Sequence, residues 1–162
     1  MREDKKTLWV SRSAVKLADY LETYPIPIHG KKCLDIGAST GGFTQVLLSH
    51  QADSIVAIDV GSSQLHPTLK NIPNIISLEN TDIRSYQSDT PFDIIVTDVS
   101  FISLKQIIPS IYQLSTPSTE IILLFKPQFE VGKNNLKKTG VPKNEAIIQS
   151  CLLDFQRWIQ GE

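Results

Sequence analysis

Cysteine is nearly absent: there are two in 162 residues, Cys33 and Cys151, and neither has a C-x-x-C or Cys/His spacing that could close round a metal ion. Both are expected to be reduced thiols packed in the core. Long apolar runs are missing too. None approaches the roughly 18 residues of a membrane span. The opening Met1-Arg2-Glu3-Asp4-Lys5-Lys6 lacks the apolar segment of a signal peptide. We therefore expect a cytoplasmic protein with no metal and no membrane partner. There is no internal repeat and no low-complexity tract. G-x-G-x-x-G and G-x-x-x-x-G-K-[ST] are both absent, which removes the main support for dinucleotide and P-loop nucleotide binding.

What is present suits one globular domain: 41% of the residues are hydrophobic and 20% charged, enough to bury a sizeable core. The net charge of −1 conceals a division. Residues 1–32 hold seven Lys/Arg against four Asp/Glu, residues 126–143 hold five against one, and residues 33–125 hold three against nine. Basic flanks folded onto one rim would offer phosphates a positive surface despite the neutral sum.

Helical and strand periods alternate along the chain. Ser11 is placed to cap a helix carrying Ala14, Leu17, Ala18 and Leu21 on one stripe, with Arg12 and Lys16 together on another face. Tyr24-Pro25-Ile26-Pro27 ends that helix. Residues 1–29 are thus expected to form a basic helical segment packing on a core domain of residues 30–162. Five short apolar runs then read as buried strands: 33–36, 55–58, 75–78, 94–97 and 121–125. Helix-compatible segments at 42–49, 64–69, 104–114 and 145–159 lie between or after them. This predicts an α/β fold, a doubly wound, mostly parallel sheet of strand order 3-2-1-4-5.

The most informative stretch is Asp35-Ile36-Gly37-Ala38-Ser39-Thr40-Gly41-Gly42-Phe43-Thr44, a strand running into a glycine-rich turn and a helix. Ligands of doubly wound sheets bind at that place, where glycine lets the backbone approach and amides point outward. Asp59 ends the second strand, where a carboxylate can accept both ribose hydroxyls of a nucleoside. Asp82, after the third strand, could take an adenine amino group. Asp98 and Lys126 stand at the carboxyl ends of the fourth and fifth runs, neighbours in the expected order.

Ser11-Arg12-Ser13-Ala14-Val15-Lys16-Leu17, the glycine stretch from Asp35 to Thr44, Asp98-Val99-Ser100-Phe101-Ile102-Ser103 and Lys126-Pro127-Gln128-Phe129-Glu130 occur in that order. Together they resemble the FtsJ-like ribosomal RNA 2′-O-methyltransferases and, within them, the TlyA or haemolysin-like branch. The resemblance runs from about residue 10 through nearly the whole chain. It implies a Rossmann-like fold that binds S-adenosylmethionine (SAM), through Asp35, Gly37, Ser39, Gly41, Gly42, Phe43, Asp59, Val60, Asp82 and Asp98. It also implies a Lys-Asp-Lys-Glu tetrad whose first three members match Lys16, Asp98 and Lys126. The fourth has no counterpart before Glu162, and the branch's S4 RNA-binding module does not precede the Ser-Arg motif. The substrate implied is structured RNA, such as ribosomal RNA in its subunits.

The chemistry of the residues agrees. An oxygen nucleophile must approach the SAM methyl in line, so much of the catalysis is positioning. Lys126 could accept the hydroxyl proton or stabilise the alkoxide, with Asp98 orienting the amine. Arg12, Lys133, Lys137, Lys138 and Lys143 would hold phosphates. Three alternatives compete. A base-N-methyltransferase would not need Lys126, and a non-catalytic SAM- or RNA-binding module would fit the missing glutamate. Direct membrane lysis finds no span or long basic amphipathic helix to support it. If the fold's C-terminal strands are missing, the run 120–125 becomes an apolar sheet edge, and pairing between copies is expected there.

Overall fold

The computed structural model describes residues 8–161. Arg2, Lys5 and Lys6 of the basic N-terminal flank, and the first seven residues of the expected helical segment, lie outside that range. The first helix, α1, spans Ser13–Thr23 and is followed by β1 at Lys32–Ile36 and α2 at Gly42–Ser49. Next come β2 at Ser54–Ile58, α3 at Pro67–Lys70 and β3 at Ile75–Leu78. Then follow β4 at Ile94–Thr97, α4 at Leu104–Gln113, β5 at Glu120–Leu123 and α5 at Glu145–Gln160. Every strand pairing is parallel and the order is β3-β2-β1-β4-β5, as the alternating periods predict.

Two-residue alternation sends successive side chains to opposite faces of this sheet, and both faces are covered. Cys33, Ile55, Ile94 and Val96 meet Ala14, Leu17 and Leu21 of α1 and Phe43, Val46 and Leu47 of α2. Leu34, Ile36, Val56, Ile58 and Ile95 meet Leu104, Ile107 and Ile111 of α4 and Phe155 of α5. The central strands are therefore buried on both sides. The edges are not: Ile76 of β3 is 53% exposed and Ile121 of β5 is 41% exposed, beside Tyr112 at 81%.

Several local expectations change. Ser11 does not cap α1. Arg12 holds the N-cap position without a side-chain bond, and Ser11 Oγ instead meets Ser13 Oγ at 2.7 Å. The third helix is shorter and later than 64–69, because Pro67 sets the helical φ of its first turn and His66 caps it by accepting from the Thr68 amide. β5 stops at Leu123, although Leu124 N–H still reaches Thr97 O at 3.1 Å. Cys33 is buried as expected, whereas Cys151 is only half-buried on α5.

The N-terminal segment is tied to the core. Val10 N–H donates to Gln45 Oε1 at 2.8 Å, and Gln45 Nε2 donates back to Leu8 O at 3.1 Å. One side chain of α2 thereby clips the chain leading into α1.

Candidate active site

The carboxyl ends of β1, β2 and β4 meet at the glycine turn. Gly37 takes φ +79°, and its N–H and that of Ala38 both donate to Ile58 O, at 2.9 and 3.0 Å. A Cβ at Gly37 would run into the Asp98 carbonyl, so only a hydrogen lets the turn close against the end of β4. Gly42 has a different reason. A Cβ there would strike Ser11 Oγ and Ser13 Oγ, so the glycine seats the α1 entry against α2 rather than facing a ligand.

Asp59 ties two turns together. Its Oδ2 accepts from Ser39 N–H and its Oδ1 from Gly61 N–H, both at 2.8 Å, which leaves lone pairs on both oxygens. This half-buried carboxylate borders a cleft of about 560 Å³ walled by Ile36, Ile58 and Ile83 and reached by Val60 and Asp98. The size and the mostly apolar wall with few polar groups suit a small-molecule cofactor. A second cavity of about 170 Å³ adjoins it, lined by Ser11, Ser13, Phe43 and Lys126 and sharing Gly37, Ser39, Asp98 and Ser100 with the first.

Asp98 and Lys126 sit where the two cavities meet. Lys126 Nζ lies 2.5 Å from Asp98 Oδ1 as an ion pair without aligned hydrogen-bond geometry, and it donates to Ser100 Oγ at 3.0 Å. The side chains are 19% and 16% exposed. The segment carrying Lys126 is anchored by Glu130, whose carboxylate accepts from Ser103 Oγ at 2.6 Å and Leu104 N–H at 2.8 Å. An anion there also suits the amino end of α4.

The FtsJ-like methyltransferase family pattern matches residues 9–160. The chain belongs to that family. It is 50% identical over 151 residues to a 23S rRNA (cytidine-2′-O)-methyltransferase TlyA of Campylobacter jejuni, covering 93% of this chain and 59% of that protein. It is 44% identical over 160 residues to the 16S/23S rRNA (cytidine-2′-O)-methyltransferase TlyA of Mycobacterium tuberculosis, covering 97% and 60%. A solved structure described as a hemolysin from Streptococcus thermophilus superposes with a TM-score of 0.89 at 31% identity, covering 96% of this chain and 58% of that one. The chain thus spans about three-fifths of the length of these FtsJ-like relatives.

Some residues expected from the FtsJ-like pattern are not at the cleft. Asp35 is fully buried on the α1/α2 face of β1, where its Oδ2 accepts from Thr44 Oγ1 at 2.7 Å, so it cannot touch a cofactor directly. Burial pushes its carboxyl up to about 7; the Thr44 bond opposes this, and the like charges of Asp98 and Asp59 add to it. Asp82 is at the rim but occupied. It caps the turn at Ile83–Ser85 and pairs with Arg84 Nη2 at 2.7 Å, and that guanidinium holds its carboxyl below the usual range. Gly41 faces Leu65 and Leu69 rather than the cleft. Lys16 is exposed on α1 and takes no part in the two ion pairs found among the described residues. It lies one helical turn beyond Ser13, which lines the smaller cavity.

Lys133, Lys137, Lys138, Lys143 and Arg12 are all exposed. A bridge between Leu136 and Pro142 and the Lys137 N–H to Val141 O bond of 2.8 Å fold residues 136–142 into a small hairpin with Lys137 and Lys138 at its bend. Sequence reasoning missed Ser100, Glu130 and Phe101. Phe101 is 91% exposed at φ +64° and packs on Phe129 with the rings tilted at 52° and centroids 5.1 Å apart. An apolar ring immediately after a strand-end Asp-x-Ser was the available signal.

Proposed function

We propose that this chain carries the transfer of a methyl group from SAM to a ribose 2′-hydroxyl of ribosomal RNA, within ribosomal subunits and in the cytoplasm where they are made. The observation that carries the proposal is the Asp98–Lys126 pair at the junction of a cofactor-sized cleft and a smaller, polar cavity. The named activities of the TlyA relatives point the same way.

The residues present fit the cofactor. Gly37, Ser39 and Val60 border the cleft, and the spare lone pairs of Asp59 suit ribose hydroxyls. Ile36, Ile58 and Ile83 offer an apolar wall to a base. SAM supplies an electrophilic methyl on a sulfonium. The rest is done by the protein. A hydroxyl held in the smaller cavity lies beside Lys126 Nζ, whose positive charge stabilises the developing alkoxide while the hydroxyl proton passes to solvent, and Asp98 and Ser100 fix the ammonium in place. Phe101 offers a stacking face for an unstacked base, and Arg12 with the 133–143 lysines holds phosphates. Lys16 completes the site when its side chain swings from solvent toward the cavity that Ser13 lines.

The test is incubation with labelled SAM and hypomethylated ribosomal subunits, followed by mapping of 2′-O-methyl sites through their resistance to alkaline cleavage. Lys126→Ala should lose about 10²–10⁴-fold in rate. Full labelling by Lys126→Ala, or label on base nitrogens, refutes the ribose-oxygen assignment.

A further inference from the structure

β5 ends at Leu123, and the last bond of its ladder runs from Leu124 N–H to Thr97 O, so Lys126 stands beyond the part of the chain that the sheet holds. Residues 126–131 close on themselves instead. Phe129 N–H donates to Lys126 O at 3.0 Å, and the N–H groups of Glu130 and Val131 both donate to Pro127 O, at 3.0 and 3.1 Å. Pro127 fixes its own φ and keeps Lys126 extended. A turn this short moves as a unit. Among the described residues, Glu130 is its one side chain besides Lys126 that hydrogen-bonds to another segment. Its Oε2 accepts from Ser103 Oγ at 2.6 Å and its Oε1 from Leu104 N–H at 2.8 Å.

The other end of those bonds is a fixed reference. Leu104, Ile107 and Ile111 bury α4 against the sheet. Ser103 caps this helix by accepting from Lys105 N–H, and no acidic residue stands in its first turn. Glu130 supplies that anion from a distant segment and takes up the Leu104 N–H, which has no partner within the helix. Two oxygens on two donors set orientation as well as distance. Asp98 is held separately, its N–H donating to Ile36 O at 3.0 Å. Lys126 Nζ meets Asp98 and Ser100 between these two anchors. We infer that Glu130 is a positioning residue for methyl transfer: it clamps the Lys126 turn to the amino end of α4 and so fixes where the ammonium meets the reacting hydroxyl. The inference rests on the methyl-transfer reading of the site and deepens it. Glu130 lines neither the cofactor cleft nor the smaller cavity, so it acts through Lys126 and not on a reactant.

Steady-state transfer from labelled SAM to hypomethylated ribosomal subunits, with the full chain, tests the clamp. Glu130→Ala should lower kcat about 10²-fold, the effect of a displacement of about 1 Å, and leave KM for SAM unchanged. Glu130→Gln keeps the length and both bonds without the charge, its amide donating to Ser103 Oγ, and should stay within about fivefold of the parent. In a Lys126→Ala background, Glu130→Ala should cost less than about twofold more, because a group that acts through Lys126 has nothing left to place. A loss of fold would instead cost the same factor in both backgrounds. A spectrum of the 15N-lysine-labelled chain reads the clamp without turnover. The Lys126 ammonium signal, identified by its loss in Lys126→Arg, should be distinct in the parent and in Glu130→Gln and displaced or broadened in Glu130→Ala. A full rate in Glu130→Ala, equal losses in the two backgrounds, or a Lys126 signal that Glu130→Ala leaves undisturbed overturns the positioning role and leaves the methyl-transfer reading standing. A parent that transfers no methyl overturns that reading, and the spectrum then decides by itself whether Glu130 holds Lys126.

Discussion

Gly37→Ala puts the geometry of the turn to a quantitative test. A Cβ there would lie 2.9 Å from the Asp98 carbonyl carbon and 3.1 Å from Val99 Cγ1. Relaxed carbon contacts sit at about 3.5–4.0 Å, so the end of β4 must retreat by roughly 0.5–1 Å. The backbone adds a second cost, because φ +79° is left-handed and disfavours a residue with a Cβ by about 1–2 kcal/mol. Crowding contributes about 1–3 kcal/mol more. The sum, roughly 2–5 kcal/mol, should lower the melting temperature of a domain this size by about 4–20 °C. The displaced group is Asp98, the partner of Lys126, so methyl transfer should fall about 10²-fold even where the protein stays folded. Differential scanning calorimetry, product-analogue binding and labelled-methyl transfer give the three numbers. A variant that melts within a degree of the parent and methylates at the same rate would refute the close approach of β1 and β4.

Stability should depend on pH through Asp35, whose folded-state carboxyl is raised from 3.8 to about 7. The folded state then binds more protons than the unfolded one between those values. Its contribution is full below about 4 and is lost as pH rises through 7, a difference of up to about 4 kcal/mol that denaturant unfolding of Asp35→Asn should no longer show. Phe101→Gly should relieve about 1 kcal/mol of left-handed strain, yet reduce RNA methylation about tenfold. Unchanged methylation would remove the stacking role. Lys137→Gln with Lys138→Gln should weaken RNA binding without changing its sequence preference, and should flatten the salt dependence by about one unit of log–log slope per lost phosphate contact. A filter-binding series across salt concentrations reads that slope, and an unaltered slope would take the hairpin out of the RNA surface.

Much of this protein could be read along the chain, because the signals concerned are local. Apolar runs such as 55–58 and 94–97 declare strands buried on both faces, and the segments between them declare crossovers, so the 3-2-1-4-5 order follows from handedness and connection length. The Gly37 turn and the strand-end positions of Asp59, Asp98 and Lys126 are legible for the same reason: each is defined by its place at the end of an apolar run. Other features depended on what stands across from each residue. Alternation on β1 turns Asp35 inward to Thr44, and no pattern along the chain distinguishes that from a carboxylate facing a ligand. Whether Asp82 is free is decided by Arg84, two residues later, and the reach of Lys126 is decided by Ser100 and Glu130. The glycines at 41 and 42 look like ligand contacts in sequence and are packing requirements in space. Sequence by itself determined the order of elements and the edge of the sheet where chemistry occurs, since both rest on backbone periodicity. Only the tertiary structure decided which carboxylate faces the cleft and which is sealed against α2, because burial is set by the elements that pack over each strand.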